Sequence, residues 1–182
     1  QPRSPQDVLG TGYGDCKDKA NALRLALEQI GVRSHLVLVN TNLGVVRRDT
    51  LPSAIFNHAV IAIQLPQGLP ADVSSSLPVI DDGAGNALML FDPTDELTPF
   101  GRIPEYLRSG ELLLVGSDGG RLVAAPAGKP ADLGVDRFVA VKIFADGSLA
   151  GEVHESWRGV WASREREKAN RADQSQDLKR PV

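Results

Sequence analysis

The sequence predicts an α+β fold, and three observations carry that prediction. Residues 16–30 have a helical period, with Ala20, Leu23, Leu27 and Ile30 on one apolar stripe that Ala22 and Ala26 widen. Residues 32–40, 56–65 and 87–92 are short apolar runs of strand length, rich in Val, Ile and Leu. The last two runs are separated by a turn-rich excursion, the spacing of neighbours in a long antiparallel hairpin.

Each element follows from local chemistry. Residues 1–11 are rich in Pro, Ser and Gly and are expected to form a lead-in loop. Glycines 10, 12 and 14 then turn the chain into the helix, and Gly31 stands where a left-handed residue closes it. In the strand 32–40, His35 shares a face with Val37 and Val39 and is expected to be structural or partly exposed. The connection 41–55 carries Arg47, Arg48, Asp49 and Pro52 and could line a cleft, without offering a ligand. Along 56–65, alternation puts Phe56, His58, Val60 and Ala62 on one face and Asn57, Ala59, Ile61 and Ile63 on the other. Both faces are apolar, as in a central strand. Residues 66–86 form the turn-rich excursion, and 97–107 a meandering loop over the end of the sheet. Two short strands, 111–115 and 121–125, flank the turn Ser117-Asp118-Gly119-Gly120.

A change of composition divides the chain. A core over 1–125 is followed by a Pro- and Gly-containing linker, 126–134, and by a β-hairpin within 135–161 that turns at Ala145-Asp146-Gly147-Ser148. A lone hairpin is marginal, so it is expected to belong to a partial β module. Residues 162–182 are almost wholly polar and are expected to form a tail or the start of a helix. The chain starts at Gln1, 15 residues before its only cysteine, and is expected to be a fragment of a longer protein.

Composition narrows the function classes. A formal net charge of −3, with no basic run interleaved with aromatics, gives no nucleic-acid surface. One cysteine and three scattered histidines, His35, His58 and His154, make neither a disulfide framework nor a zinc-ligand pattern. No metal or cofactor is expected. No apolar run reaches the ~20 residues of a transmembrane helix.

The chemistry-bearing residue is Cys16. A sharp turn into a helix leaves the first N–H groups unpaired and puts the positive end of the dipole at the cysteine. Both favour a thiolate nucleophile, and the same N–H groups can hold an oxyanion. The plainer alternative is a small buried hydrophobe. His58 opens a strand and could be its base, although a histidine on an apolar face is more often a satisfied core residue. Asp92 ends a strand before Pro93-Thr94, and is either an orienting carboxylate or a turn cap. Residue 75 is midway between His58 and Asp92 and falls inside the excursion. A hairpin centred there would set the two side by side, about 5 Å apart at Cα.

Cys, His and Asp in this order, within the blocks Gly-Asp-Cys-Lys-Asp-Lys-Ala (14–20), Phe-Asn-His (56–58) and Phe-Asp-Pro-Thr (91–94), resemble the bacterial branch of the transglutaminase-like superfamily of thiol enzymes. The resemblance spans about residues 8–116. It implies a papain-like core in which one nucleophile-bearing helix packs on an antiparallel sheet. It implies Cys16 as nucleophile, His58 as base and Asp92 as orienter, and thiol acyl transfer on protein or peptide amides by hydrolysis or transamidation. It further implies flanking β-rich domains and an extracytoplasmic, cell-envelope location. Two alternatives stand beside it: a cysteine peptidase with the same triad, and a non-catalytic binding or scaffold module.

Overall fold

The computed structural model describes residues 3–42, 46, 55–108, 110–117, 119–129 and 132–177. The chain divides into two compact units, Gln1–Ala127 and Gly128–Val182. The first is an α+β unit built on a curled antiparallel sheet. Its strands are β1 (Ser34–Val39), β2 (His58–Gln64), β3 (Val79–Asp81), β4 (Ala87–Phe91), β5 (Glu111–Gly116) and β6 (Gly119–Ala124), in the order β3-β4-β2-β1-β5-β6. Every pairing is antiparallel. β2 is interior, and residues 59–62 are all buried.

The sheet buries two faces because β2 and β4 are apolar at consecutive positions. Val60 and Ala62 share one core cluster with Val37, Val39, Leu88, Leu90, Leu112 and Leu114, and Ile103 and Leu107 close over it. The alternate residues Ala59 and Ile61 point the other way, toward the helix α2 (Cys16–Gln29), which packs on β1 and β2. On that side Leu23, Leu27, Ile63, Met89 and Phe91 line an open apolar groove.

Several expectations change. The expected lead-in loop contains a helix, α1 (Pro5–Thr11), started by Ser4, whose Oγ accepts from the Asp7 N–H at 3.1 Å, and by Pro at the first helical position. Gly12 ends it at φ 64°. On α2, Ala20 and Ala22 are buried, but Ala26 is exposed and Ile30 is 73% exposed. Ile30 is the C-cap residue, where the backbone leaves the helical path ahead of Gly31, so the apolar stripe ends at Leu27. The excursion is not structureless: α3 (Ala71–Ser76) precedes β3, which extends the sheet at the outer edge of β4. Asp82 closes the β3–β4 turn by accepting from the N–H groups of Ala84 and Asn86. The meandering loop 97–107 supplies two core residues, Ile103 and Leu107, the latter in a short 3₁₀ helix, Glu105–Leu107. Residues 47–54, with Arg47, Arg48, Asp49 and Pro52, lie outside the described residues, as do Asp118, Pro130 and 178–182.

The second unit is a hairpin, β7 (Gly134–Ile143) and β8 (Leu149–Arg158), followed by α4 (Val160–Asp177). The polar tail is therefore helical through Asp177, laced by ion pairs such as Arg171–Glu167 one turn apart. The hairpin turn is fixed by Asp146, whose Oδ1 accepts from the Ser148 N–H and hydroxyl, and by Gly147 at φ 82°. Its register puts Val139, Val141, Ile143, Leu149 and Val153 on one face, all exposed. His154 is exposed beside Glu152 at 3.3 Å, in a unit that carries none of the three residues Cys16, His58 and Asp92.

Candidate active site

The block around Cys16 is a helix-capping device. Asp15 is the N-cap of α2: its Oδ1 accepts from the Asp18 N–H at 3.2 Å, while Asp18 Oδ2 accepts from the Asp15 N–H at 3.3 Å. This reciprocal capping box satisfies two donors at the helix start. Asp18 is buried, and its Oδ1 also accepts from the Arg3 N–H at 2.8 Å, tying the lead-in segment to the site. Asp15 Oδ2 pairs with Lys17 at the surface. Gly14 has no room for a side chain, since a Cβ there would come within 2.9 Å of Asp18 Cβ and 3.3 Å of Val8. Cys16 is thereby fixed at the first position of α2, half-buried. The Cys16 N–H, at the first helical position, has no partner within the helix and is available to a negative oxygen, whereas the Lys17 N–H is turned toward the Asp15 carboxylate.

His58 opens β2 opposite Val39. The preceding residue, Asn57, fixes the backbone there. Its N–H donates to the Val39 carbonyl at 3.0 Å, and its side-chain amide donates to Thr41 Oγ1 and accepts from the Thr41 N–H. β2 and β4 are neighbours as the spacing predicts, but the register differs by two residues. Ile61 pairs with Phe91, which centres the ladder on residue 76 rather than 75. One step further, Asp92 falls opposite Val60 and diagonal to His58. A shift of two keeps both on one face, where a shift of one would have separated them. Diagonal neighbours are still within reach of a long side chain, and His58 Nε2 meets Asp92 Oδ2 at 2.7 Å.

Asp92 is buried and fully engaged. Pro93 cannot donate to the ladder, so β4 ends there. Thr94 turns back, donating its N–H at 2.8 Å and its hydroxyl at 2.6 Å to Asp92 Oδ1. Oδ2 accepts from His58 and from the Tyr106 hydroxyl, the latter at 2.5 Å. Burial pushes the carboxyl up, but the bonds from His58, Thr94 and Tyr106 outweigh it and hold the group at about 2. Asp92 is thus both the turn cap and the partner of His58, through different oxygens.

His58 is drawn above its ordinary value, chiefly by the bond to Asp92; burial opposes this, and Cys16, which lies against the same ring, adds to it. With Nε2 given to Asp92, Nδ1 is the nitrogen left for the thiol. The three residues taken from the sequence, Cys16, His58 and Asp92, are brought to one place. His35 is not among them: it pairs with Ala62, four residues along β2 from His58. Sequence reasoning missed Tyr106, whose ring stands edge-on to His58 with centroids 5.9 Å apart at 81°. The only signal available was an aromatic residue in a Pro-rich loop. Among the described residues no group of three or more His, Cys, Asp or Glu side chains could hold a metal ion, and no helix is long and apolar enough to cross a membrane. Comparison with protein-family models, with curated proteins and with solved structures finds no match to this chain.

Proposed function

We propose that this chain is a transglutaminase-like thiol enzyme that transfers or hydrolyses acyl groups of protein or peptide amides through Cys16, His58 and Asp92. The observation that carries the reading is the 2.7 Å bond from His58 Nε2 to a buried Asp92 whose other oxygen is already occupied, with Cys16 on the same ring. In this reading the Cys16 thiol gives its proton to His58, and the sulfur attacks the amide carbonyl carbon. A C–S bond forms, and the carbonyl oxygen takes the negative charge, held by the Cys16 N–H at the start of α2. His58 returns the proton to the departing nitrogen, the C–N bond breaks, and ammonia or an amine leaves a thioester on Cys16. Water or a second amine then attacks the thioester and gives its proton to His58. The C–S bond breaks, the thiol is restored, and an acid or a new amide departs. Asp92 keeps the imidazole oriented and supports its positive charge throughout.

The test is ammonia release from glutamine-containing peptides, with and without a primary amine, followed by mass spectrometry of the protein. A thioester adduct on Cys16, absent from a folded Cys16→Ala variant, supports the reading. Activity that survives in Cys16→Ala overturns it.

A further inference from the structure

The base and its carboxylate share a third neighbour that the triad does not use. Tyr106 is carried by the 3₁₀ helix Glu105–Leu107, which Leu107 and Ile103 anchor over the same core face as Val60 and Leu90. From there it makes two contacts at once: its hydroxyl donates to Asp92 Oδ2, and its ring meets the His58 ring edge to face. Oδ2 is the oxygen that also holds His58 Nε2. A carboxylate oxygen has two lone pairs, so His58 takes one and Tyr106 the other.

We propose that Tyr106 is a positioning residue that sets the basicity of His58 by sharing Asp92 Oδ2 with it. The inference rests on the thiol-enzyme reading for its purpose, although its geometry does not depend on that reading. Two consequences follow from the chemistry. A donor on Oδ2 draws negative charge away from the bond to His58, so the imidazolium is stabilised less than by an unshared carboxylate. With all four acceptor positions of Asp92 filled, the carboxylate also has no second rotamer with equal bonding, and the His58 ring is held in one plane.

Among the described residues, the titratable groups facing this cluster are Asp92 and Asp95 in the turn after β4, and Cys16 at the tip of α2. Burial, followed by Asp92 and then Asp95, holds the Tyr106 hydroxyl far above its ordinary value. It therefore stays protonated and remains a donor over the whole range in which His58 titrates. Thr94 cannot substitute for it, because both Thr94 donors go to Oδ1.

The test is the titration midpoint and tautomer of His58 by NMR of protein labelled with ¹⁵N in its three histidines. The variant is Tyr106→Phe, which keeps the ring and removes the donor. The midpoint is expected to rise by roughly half a unit as Oδ2 passes wholly to His58, with the neutral ring still carrying its proton on Nε2. A second arm needs no folding allowance. The chain has two tyrosines, so fluorotyrosine incorporated into a Tyr13→Phe background labels Tyr106 alone. The more acidic hydroxyl is a stronger donor, and the midpoint is expected to fall. An unchanged midpoint in the fluorotyrosine protein, or shifts of the same sign in both arms, overturns the proposal. Cys16 alkylation measured on the same wild-type sample separates the two readings. A Cys16 that behaves as an ordinary thiol counts against the enzyme, whereas an unresponsive His58 counts against Tyr106 alone.

Discussion

Replacing Asp92 by Asn changes one atom and inverts the sense of a hydrogen bond. The new amide would keep an oxygen toward Thr94, whose N–H and hydroxyl both donate to Oδ1. It would then present an NH₂ group where Oδ2 now accepts from His58 and Tyr106. The Tyr106 hydroxyl can turn and accept. His58 Nε2 can satisfy the new donor only with its lone pair, which sends the ring proton to Nδ1, toward Cys16, where no further proton can be taken. The energetic scale follows from the carboxyl itself. It is lowered from 3.8 to about 2, and at about 1.4 kcal/mol per unit the folded state gains roughly 2–3 kcal/mol from an ionised Asp92 near neutral pH. Asp92→Asn should therefore lower the stability of the first unit by about 2–3 kcal/mol in urea unfolding. On the proposed thiol-enzyme reading it should cut the reaction at Cys16 by up to roughly 10⁴, the loss known for a triad whose carboxylate is made an amide. NMR of the histidine ring nitrogens should find the proton on Nδ1. Wild-type reactivity in a folded Asp92→Asn protein with the Nε2–H tautomer retained would refute the orienting role.

Two further outcomes test the structural basis. The first is the pH dependence of stability. Asp92 is depressed, so its contribution is present above about 4 and is lost as pH falls toward 2. His58 is raised, so its contribution is present below about 6.5 and is lost as pH rises through its elevated folded value. Denaturant midpoints should be highest between these limits, and His58→Ala should remove the decline on the alkaline side. The second outcome concerns the turn into α2. Gly14→Ala would drive a Cβ to 2.9 Å from Asp18 Cβ and 3.3 Å from Val8, costing about 1–3 kcal/mol as overpacking, and slowing Cys16 by tilting the helix tip. Unaltered unfolding and alkylation in Gly14→Ala would show that the packing of Gly14 against Asp18 and Val8 does not fix Cys16.

Much of this arrangement could be read along the chain because it is local. The α2 helix, the paired faces of β2 and the end of β4 at Pro93 each follow from periodicity or from one proline. The Ser4-Pro5 start of α1 and the Asp15–Asp18 capping box are equally local, but the Pro-, Ser- and Gly-rich composition of residues 1–11 favours a loop where α1 forms. The register of β2 on β4 was misplaced by two residues, because it is fixed by the cross-strand pairs Ile61–Phe91, Ala62–Leu90 and Ile63–Met89 and not by the side chains that meet beyond them. Tyr106 is of another kind. Its position depends on Ile103 and Leu107 burying themselves over the sheet, a long-range event with no periodic trace. Its bond to Asp92 spans 14 residues.

Whether Cys16 and His58 act as a pair is read from the pH profile of Cys16 alkylation with iodoacetamide in wild type and in His58→Ala, with circular dichroism on both. A pair keeps thiolate in mildly acid solution, where a free thiol is almost wholly protonated. Near pH ~6.5 the wild type should therefore react about tenfold faster than His58→Ala or more, and the two rates should converge above ~8.5. Superimposable profiles in two folded proteins would contradict the account.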